Sequence, residues 1–215
     1  MSEYNQSYIR VKLNNAAKKF GLTGNKNSNE ATDRLPPGQY LTQQFPILDL
    51  GERPPLELKD FTLNLFGDIE NPITLTSEQF LALPSKEIVK DFHCVTRWSK
   101  YDLKWKGVGF EEIVKLAKPK PEVKHVMFFS RDLYTTNVSL EDCLKGDVIV
   151  AYQLDGQGIP LLHGGPVRII VPHLYGWKSA KFLNRIRFSV RDEEGFWESR
   201  GYNNHADPWK EERYS

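Results

Sequence analysis

The sequence predicts an α+β domain rich in β-structure, and three observations predict it. Short apolar or alternating runs recur along the chain, each about the length of one strand. The helical stretches between them are short and irregularly placed, which argues against repeated βαβ units. No internal repeat or low-complexity tract interrupts the pattern.

Residues 1–34 read as a polar N-terminal extension. Tyr8 to Phe20 has the spacing of a short amphipathic helix, and Thr23 to Arg34 is a polar, Asn- and Gly-containing loop. The domain proper is expected over residues 35–215, opening at Leu35-Pro36-Pro37-Gly38. Phe61 to Phe66 alternates apolar and polar and predicts a half-buried strand. Thr76 with Gln79 forms a capping-box pattern ahead of a short helix that Pro84 stops. Glu87 to Cys94 is strand-like and leads into a polar, aromatic loop. Phe110 to Ala117 predicts a short helix, and Lys124 to Phe129 a strand. Ser139 with Asp142 caps another short helix, ended by Gly146. Val148 to Leu154, the Asp155-Gly156 turn, Val167 to Val171 and Ile186 to Val190 complete the pattern with three strands.

The 215 residues are 40% hydrophobic and 12% aromatic, enough for one substantial core. A formal net charge of +1 suggests neither a nucleic-acid coat nor an acidic tail. No run approaches the roughly 20 apolar residues of a membrane helix. Met1 to Phe20 shows neither an apolar signal core nor an Arg-Arg pair, so a cytoplasmic location is expected. Cys94 and Cys143 are far apart and in no Cys-x-x-Cys pair, which excludes a zinc finger or a thioredoxin motif.

Two features carry chemistry. From Gly156 to Arg191 there is no Asp or Glu, while Arg168, Lys178, Lys181, Arg185, Arg187 and Arg191 accumulate with His163 and His173. Solvated strand edges account for such charge; so does an anion site. Gly164-Gly165 and Tyr175 to Lys181 flank the strand Val167 to Val171, and such loops offer backbone N–H, hydroxyl and ammonium donors to a phosphate. Neither a Walker loop nor a dinucleotide fingerprint is present. The second feature is Cys94, which follows a strand and enters the loop Val95 to Ser99. A free cysteine is commonly an inert small hydrophobe; a nearby cation instead favours the thiolate, and His93 and Arg97 are the local candidates. A Cys-His hydrolase remains open too, with His125, His163, His173 or His205 as base. Cys143, on a helix between charged residues, reads as structural.

His93-Cys94-Val95-Thr96-Arg97-Trp98-Ser99, with Trp105-Lys106-Gly107-Val108 after it, resembles the metal-binding cysteine loop of the sulfite oxidase family. Ala151 to Gly156, Ile159-Pro160, His163-Gly164-Gly165-Pro166-Val167-Arg168 and Val171-Pro172 are similar to the diagnostic block of its molybdopterin-binding domain. Tyr175 to Lys181 resembles the cofactor loop that follows, and Gly195-Phe196-Trp197-Glu198 with Arg200-Gly201-Tyr202 resembles its ending. The resemblance implies the sulfite oxidase molybdopterin-binding fold and a molybdenum held by a single molybdopterin. It implies Cys94 as the metal's protein ligand, a setting that suits soft sulfur donors. Cofactor contacts implied by position are Phe45, His93, Ser130, His163, Arg168, Lys178, Ser179, Ala180 and Lys181. Arg97 and Tyr134 fall at catalytic positions, Tyr134 where sulfite oxidases proper place a substrate-pocket tyrosine.

The chain departs from those enzymes after the cysteine, where Val95-Thr96-Arg97-Trp98 is closer to the branch containing the periplasmic protein-methionine-sulfoxide reductases. Sulfite would need several convergent cations, and here only Arg97 lies in the loop, beside an apolar Trp98. The expected enzyme is a monomer that transfers an oxygen atom to or from a small substrate and exchanges electrons with a separate carrier. A molybdopterin carrier without turnover is the alternative; an intact Cys94 favours the enzyme.

Overall fold

The computed structural model describes residues 33–215. The helix expected over Tyr8 to Phe20 lies outside the described residues. In chain order the elements are β1 (Tyr40–Leu41), β2 (Thr62–Gly67), β3 (Ile73–Thr76), α1 (Ser77–Leu81), β4 (Ser85–His93), β5 (Trp98–Gly109), α2 (Phe110–Ala117), β6 (His125–Ser130), β7 (Thr135–Ser139), α3 (Leu140–Cys143), β8 (Ile149–Leu154), β9 (Gln157–Gly158), β10 (Arg168–Ile170) and β11 (Leu183–Ser189). The architecture is α+β and dominated by strands, as the sequence predicts.

The strands form two sheets. One has the order β1-β5-β8-β10, with β4 also on β5 and β9 on β8; the other runs β3-β2-β11-β6-β7. Most neighbours are antiparallel, but β11 lies parallel to β2 and β1 lies parallel to the start of β5. In β2, Leu63 and Leu65 point into the core while Thr62 is exposed and Asn64 half-buried, the period of two that the sequence shows. Strand β8 is buried at Ile149, Val150, Ala151 and Tyr152 because it lies between β5 and β10. Helix α2 buries Phe110, Ile113 and Ala117, one face at helical spacing, and Lys118 ends it in the left-handed region.

Local signals transfer faithfully. The Thr76 hydroxyl accepts from the Gln79 N–H while the Gln79 side chain accepts from the Thr76 N–H, the full capping box. Ser139 caps α3 by accepting from the Asp142 N–H. The largest departure is β5: the stretch after Cys94, expected to continue as a loop, becomes a 12-residue strand. It pairs with β4, β8 and β1 along its length, and these distant partners override its weak local pattern. Gly107 is where β8 comes closest; a Cβ there would lie 2.3 Å from the Val150 carbonyl oxygen. Strands β1, β3 and β7 likewise had no sequence expectation.

The main core, including Leu63, Phe80, Phe110, Ile113, Phe128, Val150 and Phe188, joins the two sheets and the helices. A second cluster holds Phe92, Cys94, Trp98 and Trp105 with Phe45 packed on it, and a third holds Tyr175, Trp177, Tyr202 and Ala206. Val95 touches both smaller clusters, so Cys94 sits at their seam.

Candidate active site

The cysteine loop is a tight reversal between β4 and β5. The Trp98 carbonyl accepts from the Cys94 N–H at 2.9 Å and the Cys94 carbonyl from the Arg97 N–H at 3.0 Å. Arg97 closes the turn at φ 75°. Strand β1 clasps it from outside: the Tyr40 N–H donates to the Arg97 carbonyl at 2.8 Å, and Gln39 Nε2 to the Cys94 carbonyl at 3.0 Å.

Cys94 Sγ is buried, with Thr96 Oγ1 at 3.2 Å. Burial pushes its thiol up, while Thr96 and the Arg213 charge pull it back. The cation on the sulfur is therefore neither of those expected from the sequence. His93 hydrogen-bonds Ser99 Oγ through Nδ1 at 2.8 Å, and burial lowers it to about 4, so it is neutral at pH 7. The Arg97 side chain is exposed at the corner. Arg213 had given no sequence signal, because its relation to the loop is wholly tertiary. Trp98, expected as a pocket wall, is 2% exposed in the second cluster.

The anion-binding loops converge beside this seam. Arg168, on β10, is 2% exposed and lies over the rings of Phe92 and Trp105 at 5.6 and 5.5 Å. Its two terminal nitrogens donate to the carbonyls of His163 and Ser179, each at 2.7 Å. Its Nε has no hydrogen-bond partner, and no carboxylate pairs with it among the described residues. Burial alone lowers its guanidinium to about 9. Lys181 donates to the Leu162 carbonyl at 2.8 Å, with Asp49 at 3.8 Å, and burial and Arg168 lower it to about 7. His163 stacks on Phe45 at 4.5 Å and 8°. Burial first, then Lys181 and Arg168, lower it to about 4. Gly164, at φ +95°, lets the His163 turn lie against Lys181, whose Cγ would be 2.5 Å from a Cβ placed there.

The remaining expected contacts divide. Ser130 Oγ is buried and has no hydrogen-bond partner. Ser179 Oγ accepts from the Val171 N–H at 3.0 Å, and the Ala180 carbonyl accepts from the Ile169 N–H at 3.1 Å, so both residues fasten their loop to β10. Lys178 points elsewhere: its ammonium meets Glu198 at 2.6 Å, the Asn137 carbonyl at 2.8 Å and Asn137 Oδ1 at 2.9 Å. The Tyr134 hydroxyl is spent on the Trp177 carbonyl at 2.6 Å, so it anchors that loop. Phe92, which the sequence did not single out, joins the two halves. Its ring packs in one cluster with Cys94, touches Arg168, and lies 2.3 Å from where a Gly176 Cβ would be.

These residues fit a molybdopterin. A buried, unpaired guanidinium, Lys181 and the unpartnered Ser130 hydroxyl suit a phosphate-bearing ligand. Among the described residues no group of three or more His, Cys, Asp or Glu could hold a metal. Cys94 thus stands as a lone protein donor, which suits a metal that arrives with ligands of its own.

Comparison with known proteins agrees. Residues 50–197 match the model of the oxidoreductase molybdopterin binding domain family. The chain is 37% identical over 193 residues to a Bacillus subtilis protein named uncharacterized oxidoreductase YuiH, covering 89% of this chain and 98% of that one. It is 27% identical over 158 residues to the protein-methionine-sulfoxide reductase catalytic subunit MsrP of Campylobacter jejuni, covering 66% of this chain and 53% of the reductase. The chain thus spans about half the length of that relative. The crystal structure of the sulfane dehydrogenase SoxCD from Paracoccus pantotrophus superposes with a TM-score of 0.60 at 20% identity, covering 65% of this chain and 40% of that one, and shares the fold. The chain belongs to the oxidoreductase molybdopterin-binding domain family, the sulfite oxidase family, and is a molybdopterin-dependent oxidoreductase.

Proposed function

We propose that the enzyme transfers an oxygen atom to or from a small substrate in a two-electron reaction, with Cys94 as the protein ligand to molybdenum. The observation that carries this reading is the pairing of a lone buried cysteine with an unpaired buried guanidinium, both packed on Phe92. When bound, the molybdopterin centre supplies two-electron redox chemistry coupled to oxygen transfer. The chain does the rest. Arg168 and Lys181 hold the phosphate end, with Ser130 as a further donor. Phe45 and His163 form one stacked wall. Ser179, Ala180 and Tyr134 hold the loop that carries Lys181. The sheet clusters exclude water from the sulfur.

S- or N-oxides are the favoured substrates. Arg97 is exposed and Arg213 already bonds two carbonyls, so no pair of free cations converges on Cys94 among the described residues to hold a sulfite dianion. Likeness to a protein-methionine-sulfoxide reductase supports this direction. Electrons come from a separate carrier; a monomer working in the cytoplasm completes the proposal, and two unpaired buried thiols are compatible with that compartment.

Protein made in a molybdate-supplied host is expected to carry molybdenum and pterin. Cys94→Ser is expected to abolish turnover and to remove one sulfur from the metal's X-ray absorption shell. An unchanged sulfur count rejects the ligand assignment. With artificial donors and acceptors, reduction of methionine sulfoxide or trimethylamine N-oxide is expected to exceed sulfite oxidation. The reverse order rejects the substrate class.

A further inference from the structure

The region matching the family model ends at residue 197. Everything that follows folds back onto the cysteine loop. The Ala206 carbonyl accepts from the Tyr175 N–H at 2.8 Å. Tyr202 and Tyr214 pair as an isolated bridge, and the Asn203 N–H donates to the Arg213 carbonyl at 3.2 Å. The Trp209 ring stands edge-on to His93 at 6.3 Å. At the centre is Arg213, 7% exposed. It donates to the Val95 carbonyl at 2.6 Å and to the Pro37 carbonyl at 3.4 Å, and lies over the Tyr175 ring at 5.0 Å. Its one carboxylate neighbour in the structure, Glu211, is 3.7 Å away and half exposed. Gly38, at φ +67°, lets the N-terminal flank approach this pair; a Cβ there would lie 2.7 Å from Glu211 Oε1.

We infer that Arg213 is a positioning residue for the metal-ligating cysteine, delivered by a C-terminal segment beyond the region of family match. One guanidinium ties the residue after Cys94 to the N-terminal flank that carries Gln39 and Tyr40. The same guanidinium is the positive charge that faces the sulfur. A charge this well buried is screened little by solvent, so it favours the electron-rich state of a metal bound there and raises the centre's reduction potential. The inference rests on Cys94 being the metal ligand.

The test uses the molybdenum-loaded enzyme and three variants: Arg213→Gln, Arg213→Lys and the exposed control Lys210→Gln. Metal and pterin are assayed first. A loaded wild type that shows no cysteine sulfur on molybdenum defeats the underlying reading, whatever the variants do. Given that ligand, Arg213→Gln is expected to lower kcat per molybdenum about tenfold, the size of one charge-assisted hydrogen bond, with KM little changed. It is also expected to lower the molybdenum midpoint potential. In metal-free protein the amides of Cys94 and Arg97 are expected to exchange faster. Arg213→Lys, which keeps the charge, is expected to recover the potential and only part of the amide protection. Lys210→Gln is expected to match wild type throughout. Wild-type potential and wild-type exchange in Arg213→Gln overturn the proposal, as does a loss of activity that tracks lost metal alone. Should Arg213→Gln not fold, Arg213→Lys decides: wild-type amide protection at Cys94 and Arg97 overturns the proposal, and faster exchange at wild-type potential supports it.

Discussion

Arg168 and Lys178 are both almost completely buried, ten residues apart in sequence, and the protein treats them in opposite ways. Lys178 meets Glu198 at 2.6 Å, and that carboxylate also accepts from Trp177 Nε1 and Thr136 Oγ1. Arg168 has two carbonyls, two aromatic rings and an idle Nε, with no carboxylate. A buried charge closed off by its own counter-ion serves the fold. A buried charge left to carbonyl dipoles is a site prepared for a charge from outside.

The sharpest way to break this contrast is Lys178→Met. It strands the Glu198 carboxylate in the core, and breaking such a pair is expected to cost about 3–5 kcal/mol, read from denaturant unfolding of the metal-free protein. Arg168→Met is expected to leave the metal-free protein within about 1 kcal/mol of wild type, because an uncompensated buried charge goes with the two bonds. Its purified pterin content is expected to fall about tenfold or more, the scale of a lost charge-assisted contact. Full pterin in that variant, or a stability loss equal to that of Lys178→Met, erases the distinction.

Lys181 sharpens the comparison through pH. Its folded value is lowered from 10.5 to about 7, mainly by burial. Below about 7 the group is charged in both folded and unfolded chains, and its burial cost is fully present. Between about 7 and 10.5 the unfolded chain holds the proton and the folded chain does not, so metal-free stability is expected to rise with pH across that window. A bound phosphate favours the charged form, so the stabilisation gained from cofactor is expected to shrink over the same window. Thermal melts of loaded and metal-free protein, with Lys181→Met removing its share of both slopes, check the sign. The smallest effect belongs to Tyr134→Phe. Losing one hydroxyl-to-carbonyl bond is expected to cost about 1 kcal/mol and to leave pterin content near wild type.

The sequence announces most of what is local. Capping at Thr76 and Ser139 depends on residues three positions apart, and both caps form. The amphipathic face of α2 and the alternation of β2 are periodic within one element, and both hold. Strand β5 was hidden because it draws its pairing from β1, β4 and β8. The site divides along the same line. Phe45, His163, Arg168 and Lys181 converge as their motifs imply. Lys178 and Lys181 sit in one motif and look alike there; only the fold reveals that Glu198 claims the first. The cation at Cys94 comes from Arg213, which no spacing around the cysteine could disclose.

The bond from Arg213 to the Val95 carbonyl spans 118 residues. During synthesis the cysteine loop, its strands and the N-terminal flank are made long before that clasp. An emerging chain therefore presents Cys94 without the segment that later covers it. Cofactor insertion has an early window, when the seam between the two small clusters stands open, and a late one that requires the clasp to be undone. Slow loading of fully folded metal-free protein, quickened by mild denaturant, is the kinetic signature expected of such an order of assembly.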